Sequence, residues 1–389
     1  MAGKISIINR YLLLYLFKPN LYFTFLFLTI LILLHAAIAM ACLYFIEAVL
    51  FGKIHILIIL GIGFGAIVGI VIMIQASFSI IKKATINVVG KCLIEEENPL
   101  LWHKIKNFIK KIGTSLPNHI VVGLETNFFV TEANVFCLDG ELSGKTMFIS
   151  LPLCRILSVE EFEAVIAHEL SHFKGMDTQF SKKFFPIYKG TIESLNGIAA
   201  HIEEGEAYVI ALLPAFYMLS FFLWSFAVAE KKISRERELA TDKIAGEISG
   251  PKNIATALVK IVAFSKYFDV IYDGMKNILK HGKQIINASC IFYEIVLKNV
   301  NKEVLKNIDG ERLFHPIDTH PPLKLRLDAL NCSLIDIEDS ALNITKESSA
   351  IHLINKFDKV EENLTEIANY FIIKSLQDVD ELKTKKEDV

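Results

Sequence analysis

Three long apolar runs dominate the hydrophobic pattern of this chain of 389 residues. The first covers Leu21 to Ile46, the second Ile54 to Ile81, and the third Ala207 to Ala229. Each has the length of about 20 residues that an α-helix needs to cross a bilayer. The pattern therefore predicts membrane-spanning helices rather than the interior of one large soluble domain.

The first two runs are separated by a short loop and predict a transmembrane hairpin. Basic residues flank its outer ends: Lys4, Arg10 and Lys18 on one side, Lys82, Lys83 and Lys91 on the other. Positive charge collects on the cytoplasmic side, so we expect the N-terminus and the residues after Ile81 to be cytoplasmic. A secretory signal peptide is the alternative, because Ala37-Ile38-Ala39 resembles a cleavage site, although the apolar run continues beyond it.

Short β-type runs follow a charged amphipathic stretch between Glu95 and Lys111. They are Ile120 to Gly123, Asn127 to Thr131, Val135 to Leu138 and Thr146 to Ser150. Asp139-Gly140 and Ser143-Gly144 have the composition of tight turns. The pattern predicts a small antiparallel or mixed sheet.

Two helices come next in the pattern. Ser158 and Glu161 have the spacing of a capping box, which marks a helix start. Apolar residues then recur at helical spacing: Phe162, Val165, Ile166, Leu170 and Phe173. Gly175 is the predicted stop, and a second helix is predicted to begin near Ser234.

Composition and charge narrow the class of protein. Hydrophobic residues make up 52% of the chain and 28 residues are Phe, while the formal net charge is −2. A near-neutral chain gives no indication of nucleic-acid binding. The six cysteines contain no CxxC pair, which makes a cysteine-based zinc site or a disulfide framework a poor interpretation.

The pentapeptide His168-Glu169-Leu170-Ser171-His172 matches the HExxH signature of zinc hydrolases. Side chains four residues apart share one face of an α-helix, so two imidazoles at this spacing can bind one ion. Glu169 lies beside them and can act as general base toward a water activated by the zinc. The alternative is a helix with two incidental histidines.

A catalytic zinc needs a third protein ligand, and Glu238 is the candidate. Asp242 lies four residues further on, hence on the same helix face. There it can hold one ligand imidazole by its other ring nitrogen. For the neighbouring Arg235, Glu236 and Arg237 the alternative is a solvated helix start, which is the better interpretation for Glu236.

The third apolar run lies between His172 and Glu238, which constrains the topology. If it crossed the membrane alone, the zinc ligands would face opposite compartments. Residues 184–229 therefore predict a second membrane hairpin, with Glu203, Glu204 and Glu206 at its outer turn. The alternative is a hydrophobic helix that lies in the interface or packs on the catalytic domain.

At these residues the chain resembles the integral-membrane zinc metallopeptidases that include the CAAX prenyl proteases and the HtpX-type heat-shock proteases. Three segments carry the resemblance: Glu160 to Phe173, Ser234 to Asp242, and Thr319-His320-Pro321-Pro322-Leu323 with Arg326 and Leu330. The chain lacks the many spans of the prenyl proteases, so it is closer to the HtpX-like members. Asn127-Phe128-Phe129 departs from the Asn-Ala motif that family members often carry.

The resemblance implies a role for each site residue. His168, His172 and Glu238 would bind one zinc ion, and Glu169 would be the base. His320 would help to stabilise the oxyanion, with Arg326 supporting nearby. The alternative for His320 is that it caps a loop before the helix at Leu323. His315-Pro316 is a second dipeptide of the same kind.

The expected fold is a mainly α membrane protein with a small β-sheet, in which transmembrane helices carry a cytoplasmic gluzincin-like zinc metallopeptidase domain. The predicted parts are a cytoplasmic segment 1–20, a hairpin 21–82, a peptidase domain 83–330 with the insert 184–229, and a charged helical appendage 331–389.

The expected function is hydrolysis of peptide bonds in membrane or cytoplasmic proteins, for quality control or processing. The expected partners are peptide substrates and the lipid bilayer, with no nucleic acid. The strand Thr146 to Ser150 would offer an edge to an extended peptide. The alternative is a membrane scaffold or receptor that binds zinc without cleaving.

Overall fold

The computed structural model describes residues 33–79, 85–174, 209–306 and 320–387 continuously, with scattered positions between these stretches. The described residues leave out most of the predicted segment 1–20 and most of residues 184–208 of the predicted hairpin 184–229. They also leave out Gly175, His315-Pro316 and Thr319. The chain forms two compact units. The first contains Met1–Ala84 and Lys182–Ile233, and the second contains Thr85–Ser181 and Ser234–Val389.

The first unit begins with α1 (Thr29–Phe51), whose last turn, Glu47–Phe51, is a π-helix. Among the described residues, α1 is the one helix whose length and apolarity are sufficient for a membrane crossing. The next helix, α2 (Ile56–Ser79), occupies the second apolar run. The carboxylate of Glu47 accepts hydrogen bonds from the backbone N–H and Nδ1 of His55, which closes the connecting turn. The multi-pass topology stays a prediction.

The second unit contains seven short strands. They are β1 (Thr85–Asn87), β2 (Gly90–Cys92), β3 (His119–Gly123), β4 (Phe129–Thr131), β5 (Asn134–Cys137), β6 (Gly140–Leu142) and β7 (Thr146–Ser150). One sheet has the order β1-β5-β6 and the other β2-β3-β7-β4. In the larger sheet β3 and β7 are parallel, and the outer pairs are antiparallel. The prediction of small mixed sheets is confirmed.

Most of the described chain is helical, as predicted. The further helices are α3 (Pro99–Ile112), α4 (Leu151–Ile156), α5 (Val159–Lys174), α6 (Val209–Ser249), α7 (Pro251–Phe264), α8 (Lys266–Lys280), α9 (Ala288–Asn299), α10 (Leu323–Ala329), α11 (Leu334–Leu342) and α12 (Phe357–Glu387). Two short 3₁₀ helices, Lys302–Leu305 and Ala350–Leu353, also lie among the described residues.

Helix α5 runs through the core of the second unit, where it packs against α3, α7 and β4. Its start is the predicted capping box. The N–H of Ser158 donates to the Glu161 carboxylate at 2.8 Å, and the N–H of Glu161 donates to the Ser158 hydroxyl at 3.2 Å. Because neighbours surround the helix, residues on several of its faces are buried, Ala167 and Leu170 among them.

The prediction of a helix start near Ser234 is wrong, because α6 is already helical from Val209. Glu230 to Ile233 contain neither glycine nor proline, and Glu and Lys are good helix formers, so nothing in the local sequence interrupts the helix. The change from apolar to polar residues at this point therefore does not coincide with a helix boundary.

Two further expectations are corrected by the packing. Strand β7 is not an edge, because β3 and β4 pair with its two sides, and β4 is the outer strand of that sheet. Residues 331–389 are not an appendage, since they belong to the second unit and α12 buries Leu364 and Ile372 in its core. The predicted domain boundaries themselves stay predictions.

Candidate metal centre and active site

The two histidines of the HExxH segment meet at one point on α5. The Nε2 atoms of His168 and His172 are 3.3 Å apart. Both side chains are buried, and their rings stand nearly perpendicular, at 84°. The four-residue spacing sets this arrangement, because it returns the second side chain to the same helix face.

Glu238 brings a carboxylate from α6 to the same point. Its Oε2 is 3.5 Å from Nε2 of His168, and its Oε1 is 3.4 Å from Nε2 of His172. Among the described residues, these three side chains form the one group of histidine, cysteine and acidic residues whose ligand atoms lie close enough to share an ion.

The spacing of these atoms fits zinc. Zn–N and Zn–O distances of about 2.0–2.1 Å in a tetrahedron place neighbouring ligand atoms about 3.3 Å apart. The three observed separations, 3.3, 3.4 and 3.5 Å, agree with that value. Two imidazoles and one carboxylate are also a donor set that leaves a fourth position for substrate or water.

Asp242 and Arg326 form a second layer behind the histidines. Oδ1 of Asp242 lies 2.9 Å from Nδ1 of His168. Arg326, from α10, donates from Nε and Nη2 to the two oxygens of Asp242 at 2.7 and 2.6 Å. The guanidinium thus contacts both oxygens of the carboxylate that faces the imidazole. Spacing along the sequence does not indicate this pairing of Arg326 with Asp242.

His320 reaches the centre from the segment that precedes α10. Its Nδ1 donates to Oε2 of Glu238 at 2.5 Å. The structure thus places His320 against the candidate ligand Glu238, a contact that the sequence did not indicate. Its role toward an oxyanion stays a prediction, as do the roles of the other site residues.

Burial and charge together shift the pKa values of the cluster. Burial alone would lower the pKa of His168, but Asp242 and Glu238 outweigh burial and raise it to about 9. Burial would likewise raise the pKa of Glu238, but the neighbouring histidines, His320 foremost, hold it well below its usual value. The raised pKa of His168 reflects the negative charge of Asp242 and Glu238 beside it, which would also favour a bound cation at this point.

Glu169 differs from these ligands. Burial raises its pKa, and the nearby histidines offset only part of the effect. A carboxylate whose pKa is raised toward neutrality is suited to take and return a proton. Glu169 lines a small cavity of about 20 Å³ together with His168, His320 and Arg326. A volume of about 10–15 Å³ is enough for one water molecule.

Asn127 and Phe128, which the sequence marked only as a departure from the Asn-Ala motif, line the same cavity. Three further lining residues, Ile254, Leu258 and Ile261, were missed by sequence reasoning. The apolar spacing of the last three on α7 indicates a buried helix face, but not what that face contacts. The side chain of Arg237 is 9% exposed and its Nη2 lies 3.5 Å from Oε1 of Glu238, so the alternative of a solvated position does not hold for Arg237. Glu236 is exposed, as expected, and so is Arg235.

Comparison with known proteins places this geometry in context. The model of peptidase family M48 matches residues 95–333. A protease HtpX homologue from Methanocaldococcus jannaschii is 26% identical over 44% of this chain and 61% of its own length. One from Pyrococcus furiosus is 26% identical over 62% of this chain and 75% of its own length. One from Trichormus variabilis is 22% identical over 70% of this chain and 86% of its own length. No solved structure matches significantly.

Proposed function

The chain belongs to peptidase family M48 and is similar to HtpX, and from that premise we propose that it is a membrane-bound, zinc-dependent endopeptidase. One observation carries the proposal. His168, His172 and Glu238 hold three ligand atoms at the separations of a zinc site, and Glu169 lines the cavity beside them. A general base next to a metal centre is the arrangement that hydrolysis requires.

His168, His172 and Glu238 would hold the zinc ion, which when bound would supply Lewis acidity toward a peptide carbonyl and a water molecule. Glu169 takes the proton from the attacking water and returns it to the leaving nitrogen. His320 donates a hydrogen bond toward the negative charge that develops on the carbonyl oxygen, an effect of about 3 kcal/mol when well aligned.

The substrate is proposed to bind as an extended chain along β4. This strand is the outer member of its sheet, and Phe128, immediately before it, lines the catalytic cavity. Backbone groups at a sheet edge pair with peptides of many sequences. This mode of binding suits a protease that acts on varied membrane or cytoplasmic proteins in quality control or processing.

The proposed location is an integral membrane protein with its catalytic domain in the cytoplasm. The apolar runs and the basic residues that flank them support it. A single cysteine at Glu204, in a background without other reactive thiols, tests the second hairpin. Labelling by an impermeant thiol reagent from the outer side supports it, whereas labelling only from the cytoplasmic side rules it out.

The central experiment compares the full-length wild-type protein with Glu169→Gln in detergent. We expect the wild type to contain about one zinc ion per chain and to cleave casein or itself. A chelator should remove this activity, and added zinc should restore it. Glu169→Gln should keep the metal and lose cleavage, and Glu236→Gln, at an exposed position of α6, is the matched control.

Two results would overturn the proposal. Purified protein without bound zinc, or cleavage that survives Glu169→Gln, would remove the metallopeptidase assignment. Bound zinc without any cleavage by the wild type would instead favour the scaffold alternative.

A further inference from the structure

A groove of about 690 Å³ adjoins the catalytic cavity in the second unit. The two spaces share Asn127 and Ile261 as lining residues, so the groove extends the active site in one direction. Its walls come from the segment between β3 and β4 and from α7 and α8. The volume lies within the range of about 300–1,000 Å³ that is typical of ligand pockets.

The walls of the groove are mainly apolar. Leu124, Val262, Phe268 and Met275 line it, and Tyr272 is 43% exposed. A bulky apolar side chain that enters such a groove gains roughly 1.5–3 kcal/mol from burial. An occupant of the groove is therefore expected to carry an apolar group.

Glu125 indicates a second property of the occupant, a positive charge. Its side chain is exposed at the groove and has no hydrogen bond or ion pair with any described residue. The groove walls nevertheless desolvate the carboxylate, which raises the pKa of Glu125 to about 6. Lys266 and Asp269 also line the groove, and neither forms an ion pair with Glu125, for which burial is the one cause of the raised pKa. A desolvated carboxylate without a partner favours a cation.

We propose that this groove binds the part of the substrate next to the scissile bond and selects an apolar side chain adjacent to a lysine or arginine, whose charge pairs with Glu125. The inference rests on the proposed function and specifies its substrates. Glu125 lies two residues before Asn127, in a tight turn where the N–H of Asn127 donates to the Glu125 carbonyl at 2.9 Å. One substrate can therefore occupy the cavity and reach Glu125 at the same time.

Pairs of internally quenched peptides test the selection with the full-length zinc-loaded protein. The two members of a pair are identical except for lysine or norleucine, and the lysine is moved through three positions on each side of the scissile bond. We expect the wild type to prefer lysine about tenfold in kcat/KM at one position, the effect of a charge-assisted hydrogen bond. Glu125→Gln should abolish this preference, and Glu125→Lys should reverse it, so that the norleucine peptide is cleaved faster than the lysine peptide.

Glu96→Gln is the matched control, because Glu96 is an exposed carboxylate of the same unit outside the groove. It should leave the lysine preference unchanged. A preference that persists in Glu125→Gln, or the absence of any preference at all six positions, overturns the inference while the peptidase assignment stands.

A binding measurement separates this inference from the proposed function. A fluorescent lysine peptide is titrated into the Glu169→Gln protein, which retains the groove, and into the double variant Glu169→Gln/Glu125→Gln. We expect Kd to rise about tenfold in the double variant. Equal affinities overturn the inference, and because binding needs no turnover, the result counts even if the wild type cleaves nothing.

Discussion

Two buried charge clusters in the second unit use similar side chains in different ways. In the first, Arg155 of α4 donates to Glu361 of α12 from both Nε and Nη2, and Asp358 and Asn287 complete the network. In the second, the carboxylates of Glu169, Glu238 and Asp242 outnumber the guanidiniums of Arg326 and Arg237.

The difference between these clusters lies in the balance of charge. In the Arg155 cluster the buried carboxylate of Glu361 is balanced by the buried guanidinium, and the second carboxylate, Asp358, is 65% exposed to solvent, so we expect the cluster to stabilise the fold. The catalytic cluster keeps an excess of negative charge, which raises the pKa of His168 to about 9. A buried excess of charge is costly unless a counter-ion binds. Changes in the first cluster should affect folding, and changes in the second should affect metal binding and turnover.

The largest expected effect is that of Glu169→Gln. The change removes the proposed base while it keeps the shape of the side chain, so kcat should fall by about 10²–10⁴. The thermal unfolding midpoint should not fall, because an amide replaces a carboxylate whose pKa burial has raised. Kinetics and thermal unfolding on the same detergent-solubilised sample check both statements, and a lower midpoint would contradict the second.

Glu361→Gln tests the Arg155 cluster. It leaves Arg155 buried with only the exposed Asp358 as an anionic partner. The free energy of unfolding should fall by about 3 kcal/mol, since removal of one member of a buried pair leaves the other charge buried without compensation. Zinc content should be unchanged. The double variant Arg155→Met/Glu361→Leu should be less destabilised than the single one, and an equal or greater loss would argue against this interpretation.

Asp242→Asn tests the second layer of the metal centre. The change weakens the contact that orients His168, so zinc affinity should fall by about 10–100-fold. Competition with a coloured chelator measures the affinity. Glu247→Gln, at an exposed position further along α6, should leave it unchanged. Unaltered zinc affinity in Asp242→Asn would mean that Asp242 contributes to the stability of the fold, the role expected of Glu361, rather than to metal binding.

Ser158→Ala is expected to have the smallest effect. It removes the hydroxyl that accepts from the N–H of Glu161 at the start of α5. Loss of such a cap costs about 1 kcal/mol and should lower the unfolding midpoint by about 2–4 °C. Zinc content should not change, because the cap lies at the opposite end of the helix from the ligands. Glu160→Gln, exposed in the same turn, is the control.

Much of the catalytic helix could be predicted from local sequence. The capping box, the apolar spacing and the shared face of His168 and His172 depend on residues within a few turns of one another. The family resemblance likewise rests on contiguous segments. The helix start at Ser234 was wrongly predicted from the same local information, because a change from apolar to polar residues does not by itself interrupt a helix.

The amino-acid sequence alone determined the class of chemistry, since residues three to five positions apart on a helix have a fixed mutual geometry. Only the tertiary structure decided that Arg326 holds Asp242, that His320 contacts Glu238, that β4 is the outer strand, and that α12 completes the core. These contacts join residues that lie far apart along the chain. Their partners are selected by packing and by the pairing of buried charges, which no local periodicity records.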